Sequence, residues 1–246
     1  MSLSEWEPKY AEILKEFGYS RKKDEEAAIK LNSILKEKTP LKKLREKIRS
    51  QTVFVIGAGP SLSFSIPVLK KYKKIIKIVA DGATKALIEN RIQPDIVVTD
   101  LDGDIEFLKK ASARNAIMIV HAHGDNQKKL ELAADFDNCI GTTEGKPFGK
   151  VYNFGGFTDG DRCLFLARHF NAKKIILFGM EFGTKIGKYS KTRIPNKSVK
   201  IKKLRRGRKL LEWIASKNNL GLYTTSKPIK GFQKIDFAKL EEIIAS

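Results

Sequence analysis

The hydrophobic pattern of this chain changes period near residue 50. Before that point apolar residues recur at helical spacing. Trp6, Tyr10, Ile13, Leu14 and Phe17 make one stripe, and Ile29, Leu31, Ile34, Leu35, Leu41, Leu44 and Ile48 continue it with charges between them. A new helix is expected to start at Pro40, because proline is tolerated in a first helical turn. The segment 1–50 therefore reads as a helical preface that packs on a sheet or on a second copy of the chain, and it carries no evident chemistry.

From Thr52 the pattern becomes short β-branched runs separated by helical ones. Thr52-Val53-Phe54-Val55-Ile56, Ile75-Ile76-Lys77-Ile78-Val79-Ala80, Pro94-Asp95-Ile96-Val97-Val98 and Ala116-Ile117-Met118-Ile119-Val120 read as buried strands. A weaker strand is expected at 138–142, a further one at 174–178 and a final one at 220–224, with a last helix at 237–244. Strands alternating with helices pair in parallel through crossover helices. The expected fold is α/β: a Rossmann-like, doubly wound, mostly parallel sheet over 51–184, preceded by the helical extension 1–50. Residues 185–246 complete it as a basic loop and C-terminal helices. Every strand ends in small, polar or acidic residues, and ligands of open α/β sheets bind outside the carboxyl ends of the strands. That edge is the candidate active face.

Composition adds a cellular setting. At 246 residues, 41% hydrophobic, the chain can bury a large core, and no apolar run approaches the ~20 residues of a membrane span. Two cysteines, Cys139 and Cys163, fit a reducing compartment, so a cytoplasmic location is expected. Cys163 falls in an apolar helical pattern and reads as core. The net charge of +20 attracts polyanions, nucleotides included, although a lysine-rich thermophile surface produces the same balance.

Specific chemistry concentrates at the strand ends. Thr99-Asp100-Leu101-Asp102-Gly103-Asp104 puts three carboxylates within five residues, which calls for a hard cation such as Mg²⁺ shared with substrate phosphates, or else an Asp/Gly turn with a helix cap. Asp81 offers a carboxylate on a neighbouring strand, and Gly82 could bring a helix N-terminus to a ligand. Gly57-Ala58-Gly59-Pro60-Ser61 joins a strand to a helix in the manner of a phosphate loop, without the third glycine of the dinucleotide fingerprint or the Walker lysine. His121, His123 and Asp125 form H-x-H-x-D. With only three histidines in the chain, this reads better as a polar loop with Asp125 joining the magnesium set than as a transition-metal site. Asp159 and Arg162 precede a helix expected over 163–170. Arg162 in a first turn opposes the helix dipole, so a phosphate clamp or an ion pair with Asp159 or Asp161 is expected. Residues 185–209 hold twelve basic residues and no acid. With Gly187, Pro195 and Gly207 they read as a largely loop-like lid over polyphosphate. The single Tyr189 argues against a stacking surface for nucleic acid.

Taken in order, these motifs resemble the archaeal 6-hydroxymethyl-7,8-dihydropterin pyrophosphokinases, the MptE-like family. The resemblance covers about 52–183 and rests on Val-Ile-Gly-Ala-Gly-Pro-Ser-Leu, Ala-Asp-Gly-Ala, Pro-Asp-Ile-Val-Val-Thr-Asp-Leu-Asp-Gly-Asp, His-Ala-His-Gly-Asp-Asn, Gly-Phe-Thr-Asp-Gly-Asp-Arg and Gly-Met-Glu-Phe-Gly. The chain is distantly similar to thiamin pyrophosphokinases, and related domains occur in flagellin-modifying glycosyltransferases. The resemblance implies transfer of diphosphate from ATP to the hydroxymethyl group of a reduced pterin, releasing AMP, in methanopterin or folate synthesis. It further implies Asp100 and Asp102 as primary Mg²⁺ ligands with Asp81 and Asp125 as partners. Gly57, Gly59 and Ser61 would contact phosphate or pterin, with Asp81 and Gly82 beside them. Asp159 would lie at the cleft, where Arg162 holds phosphate. Phe154, Phe157 and Phe182 are the aromatic candidates for the pterin. The alternatives are a metal-dependent nucleotide-sugar glycosyltransferase, or a thiamin pyrophosphokinase-like enzyme with another acceptor.

Overall fold

The computed structural model describes residues 2–36, 41–190, 196–217 and 221–245; Pro40 lies outside them. The described strands are β1 (Thr52–Ile56), β2 (Ile76–Ala80), β3 (Ile96–Thr99), β4 (Ile117–His121), β5 (Cys139–Thr142), β6 (Val151–Tyr152), β7 (Lys174–Phe178), β8 (Gly221–Thr224) and β9 (Gln233–Lys234). They form one sheet in the order β6-β5-β4-β3-β2-β1-β7-β8-β9. Every neighbouring pair is parallel. The helices are α1 (Leu3–Phe17), α2 (Arg21–Ile34), α3 (Leu41–Ile48), α4 (Leu62–Lys71), α5 (Asp81–Glu89), α6 (Ile105–Ser112), α7 (Asp159–His169), α8 (Lys197–Ala215) and α9 (Leu240–Ala245).

The central strands are predominantly apolar because both faces of the sheet are covered there. Val53, Val55, Ile96, Val98, Ile117, Ile119, Ile175 and Leu177 point to one face, where they meet α1, α3, α7 and α8. Phe54, Ile56, Val79, Ile176 and Phe178 point to the other, toward α4, α5 and α9. Val97, Met118 and Val120 meet α2 and α6 on that same side. The α/β expectation holds, and the N-terminal helices are integral to it. Trp6, Tyr10 and Ile13 are at most 1% exposed in the first core, while Ala27, Ala28 and Leu31 are buried in the second.

Strand order reverses at β1, which has β2 on one side and β7 on the other. Such a reversal opens a crevice at the carboxyl edge. Two expectations change. The basic stretch is helical from Lys197, with Asn196 accepting from the Ser198 and Val199 amides at the N-cap. Leu210, Leu211 and Ile214 dock that helix on the sheet, and Gly207, expected to mark a loop, lies buried within it, facing Thr158 and Phe182. Pro195 lies outside the described residues. The two-residue strands β6 and β9 had no periodic signal to announce them.

Candidate active site

The strand ends assemble a cleft along the carboxyl edge. Across it, in spatial order, come the residues that follow β5, β4, β3, β2, β1 and β7. Its centre is a carboxylate group: Asp81, Asp100, Asp102 and Asp159 each offer an oxygen, all within 4.8 Å of one another. Asp81 opens α5 but does not cap it; the N-cap is Ala80. Its Oδ2 accepts instead from Thr99 Oγ1 at 2.5 Å and from the Gly103 amide at 3.1 Å. Asp100 Oδ1 accepts from the Asp102 amide at 3.3 Å, and Asp100 Oδ2 lies 3.7 Å from His123 Nε2. Between them Leu101, buried, takes φ +64°, which turns both aspartates toward the same space.

Asp159 is the fourth member, where Asp125 had been expected. Asp125 lines the same cleft but is exposed and stands outside the group; its amide donates to His123 Nδ1. Asp159 is free to face the cleft because its neighbours cap α7: Asp161 accepts from the Thr158 amide and hydroxyl and from the Phe157 amide. Burial, and then the charges of Asp100 and Asp81, push the Asp159 carboxyl well above its usual range. Opposite stands Lys200 of α8, whose ammonium is lowered by burial while Asp159 and Asp100 pull it back up. Lys185 and Lys203 also line the cleft.

On the β1/β7 side, Gly57 and Gly59 line the cleft and need to be glycine. A Cβ would lie 2.7 Å from Gly179 O at Gly57 and 2.6 Å from the same oxygen at Gly59. Gly82 lines the cleft as well, but Ser61 does not; its hydroxyl bonds Ser226 Oγ at 3.1 Å.

On the β4/β5 side, Arg162 lines the cleft with its Nη2 paired to Glu144 Oε1 and donating to Phe157 O at 2.8 Å. Its ion-pair partner is thus Glu144, not Asp159 or Asp161. Burial raises the Glu144 carboxyl against the pull of Arg162. Burial, and next the Arg162 charge, hold His121 well below its ordinary value, so its imidazole is neutral. Asn126 ties these loops together, donating to Asp100 O at 2.8 Å and His121 O at 2.7 Å and accepting from the His123 amide at 3.0 Å.

The turn between α1 and α2 closes this end, a contribution sequence reasoning missed. Asp24 accepts from Tyr10 Oη at 2.7 Å and from the Gly124 amide at 2.8 Å, and Tyr19 joins Phe17 and Phe157 in an aromatic group. Lys203 Nζ sits over the Tyr19 and Phe157 rings at 5.4 and 5.7 Å. Phe157 and Phe182 line the cleft; Phe154 packs against His169 and Phe170 instead. Glu144 carried a signal in its position just beyond a strand end. Asp24 and Tyr19 carried none.

No helix among the described residues is long and apolar enough to cross a membrane. A sequence model of the MptE-like 6-hydroxymethylpterin diphosphokinases matches residues 25–187. Three curated proteins named 6-hydroxymethyl-7,8-dihydropterin pyrophosphokinase are similar to this chain. The Pyrococcus furiosus protein is 49% identical over 89% of this chain and 96% of its own length. That of Methanocaldococcus jannaschii is 43% identical over 88% and 97%, and that of Methanothermobacter thermautotrophicus 39% over 87% and 95%. Among solved structures, MAf glycosyltransferase from Magnetospirillum magneticum AMB-1 matches with a TM-score of 0.55 at 14% identity. It covers 87% of this chain, which spans only 39% of that protein, and the likeness shows the fold alone. Joined to the order of motifs along the carboxyl edge, these matches show that the chain belongs to the MptE-like family of 6-hydroxymethylpterin diphosphokinases.

Proposed function

We propose that this enzyme transfers diphosphate from ATP to 6-hydroxymethyl-7,8-dihydropterin, giving the pterin diphosphate and AMP in the cytoplasm. The observation that carries the reading is the carboxylate group at the middle of the cleft, with glycine backbone on one flank and an aromatic-lined pocket on the other. The fold-level likeness to a glycosyltransferase gives the nucleotide-sugar alternative nothing beyond a scaffold.

The reaction balances simply. The pterin hydroxymethyl oxygen attacks the β-phosphorus of ATP. The bond from that phosphorus to the oxygen it shares with the α-phosphate breaks, that oxygen leaves on AMP, and the hydroxyl proton is released. Four clustered carboxylates repel unless a hard cation joins them, and an all-oxygen donor set fits Mg²⁺. Asp81, Asp100, Asp102 and Asp159 would hold it. Bound there, Mg²⁺ supplies charge neutralisation and alignment of the phosphates. Lys200 faces the carboxylates and Lys185 lines the same cleft; both favour the charge that moves onto the leaving AMP oxygen. Gly57 and Gly59 let the phosphate chain approach the backbone. Arg162, already neutralised by Glu144, shapes the acceptor end more than it clamps phosphate.

The test is a nucleotide assay with ATP, Mg²⁺ and the reduced pterin. AMP formed in step with a pterin diphosphate supports the reading. ADP would make it a single phosphoryl transfer, and no nucleotide consumption would remove it.

A further inference from the structure

His121 is wholly buried, yet its Nε2 has no hydrogen-bond partner among the described residues. Such a group costs stability unless something outside the chain completes it. Its tautomer follows from its neighbours. Thr142 Oγ1 lies 3.2 Å from His121 Nδ1 and 3.3 Å from Val120 O; with its hydrogen on Val120 O, its oxygen accepts from Nδ1. In that tautomer Nδ1 carries the proton and Nε2 is a bare acceptor. Beside it, 3.8 Å away and beyond hydrogen-bond reach, is Glu144 Oε1, on a carboxylate only 5% exposed. Both residues line the cleft. Glu144 is held rigidly: its backbone oxygen accepts from Trp6 Nε1 at 2.8 Å and Asn153 Nδ2 at 2.7 Å. Oε1 already accepts from Arg162 Nη2, so the β4/β5 end of the cleft presents His121 Nε2 beside an Arg162-paired carboxylate, two adjacent acceptors.

We infer that Glu144 and His121 are the specificity-determining residues for the acceptor, receiving the adjacent ring N–H and exocyclic amino group of the pterin's pyrimidine ring. The inference rests on the diphosphate-transfer reading and fixes which substrate lies at which end. Adenine offers a donor beside an acceptor, so a paired-acceptor edge rejects it, and the nucleotide belongs over Gly57 and Gly59. From β4/β5 to the carboxylates after β2 and β3 is two strand spacings, ~10 Å. That matches a bicyclic ring with its hydroxymethyl arm pointing at the carboxylates. Tyr19 and Phe157, with ring centroids 6.4 Å apart, supply apolar surface for the flat ring at this end.

The experiment compares 6-hydroxymethylpterin with 6-hydroxymethyllumazine, in which an oxo group replaces the exocyclic amino group. Binding to the wild-type protein is followed by ring fluorescence, and the reduced forms are used in the AMP assay. The wild type is expected to prefer the pterin by about tenfold or more, since a site built for a donor is left with an unpaired acceptor. Glu144→Gln, able to donate to the oxo group, should shrink that ratio severalfold while ATP binding holds. Equal affinity of the wild type for the two rings would overturn the inference, as would an unchanged ratio in Glu144→Gln. If that variant does not fold, the wild-type ratio alone decides. AMP formed equally fast with either acceptor sinks the inference and leaves diphosphate transfer standing. No AMP with either sinks both.

Discussion

Thr99 donates its hydroxyl proton to Asp81 Oδ2 at 2.5 Å while its oxygen accepts from the Leu101 amide at 2.8 Å. One buried side chain at the end of β3 thus fastens a carboxylate beyond β2 to the turn that carries Asp100 and Asp102. Thr99→Val keeps the shape and deletes both bonds. Roughly 1–3 kcal/mol of stability should be lost, as expected when buried partners lose a hydrogen bond. The magnesium concentration for half-maximal activity should rise several-fold. Urea unfolding and a magnesium titration measure the two effects, and an unmoved titration would detach Thr99 from the site.

Asp159 and Asp125 offer a direct contrast. Asp159→Asn removes one of the four clustered carboxylates, and a roughly 10–100-fold loss of magnesium affinity is expected, the scale seen when a metal site is disturbed. Asp125→Asn, exposed and outside the cluster, should change little. Equal losses in both variants, or the reverse order, would redraw the cation site.

Asn126 makes three hydrogen bonds in a buried position, to Asp100 O, His121 O and the His123 amide. Asn126→Ala abandons all three partners. A destabilisation of roughly 2–3 kcal/mol is expected, with activity falling because the loops after β3 and β4 lose their common strut. Stability and turnover both at the wild-type level would show the strut to be dispensable.

Burial pushes the Cys139 thiol up to about 12, and the cysteines are free. At pH 8 the native thiol is protonated, so alkylation by iodoacetamide should run on the order of a thousandfold slower than for an ordinary cysteine, because only thiolate reacts. The sign for stability follows from the raised value. The unfolded chain loses this proton from about pH 8.5, while the folded chain keeps it to about 12. This contribution is complete below the lower value and declines as pH rises between the two. Rapid labelling of the folded protein at pH 8, with no acceleration in urea, would contradict it.

The parts of the site that the sequence made legible are those set by local rules. Asp81, Asp100 and Asp102 each stand just past a β-branched run, and strand ends of a doubly wound sheet share one edge. The glycines at 57 and 59 were visible too, but their reason is partly mutual: Gly179 presses against both. What stayed hidden depended on distant packing. The H-x-H-x-D motif was read as a polar loop at the cleft, which it is, but Asn126 satisfies its turn and Asp125 stands outside the carboxylate group. For Arg162 a phosphate clamp or an ion pair with Asp159 or Asp161 was expected, and nothing in its own helix revealed Glu144 as its partner. Tyr19 and Asp24 belong to an ordinary amphipathic preface, and only the folding of α1 and α2 onto opposite faces of the sheet carries their turn to the cleft.

The ion pairs of Arg206 with Glu12 and Glu16, and of Lys217 just past α8 with Glu5, fasten α8 and the turn after it to α1 across nearly the whole chain. Lys200 and Lys203 come to the cleft on the same helix whose Arg206 ties it to α1. One helix thus carries both facing cations and the clasp between the two ends of the chain, so its loss would strip the acidic group of counter-charge and α1 of its ion-pair partner at once.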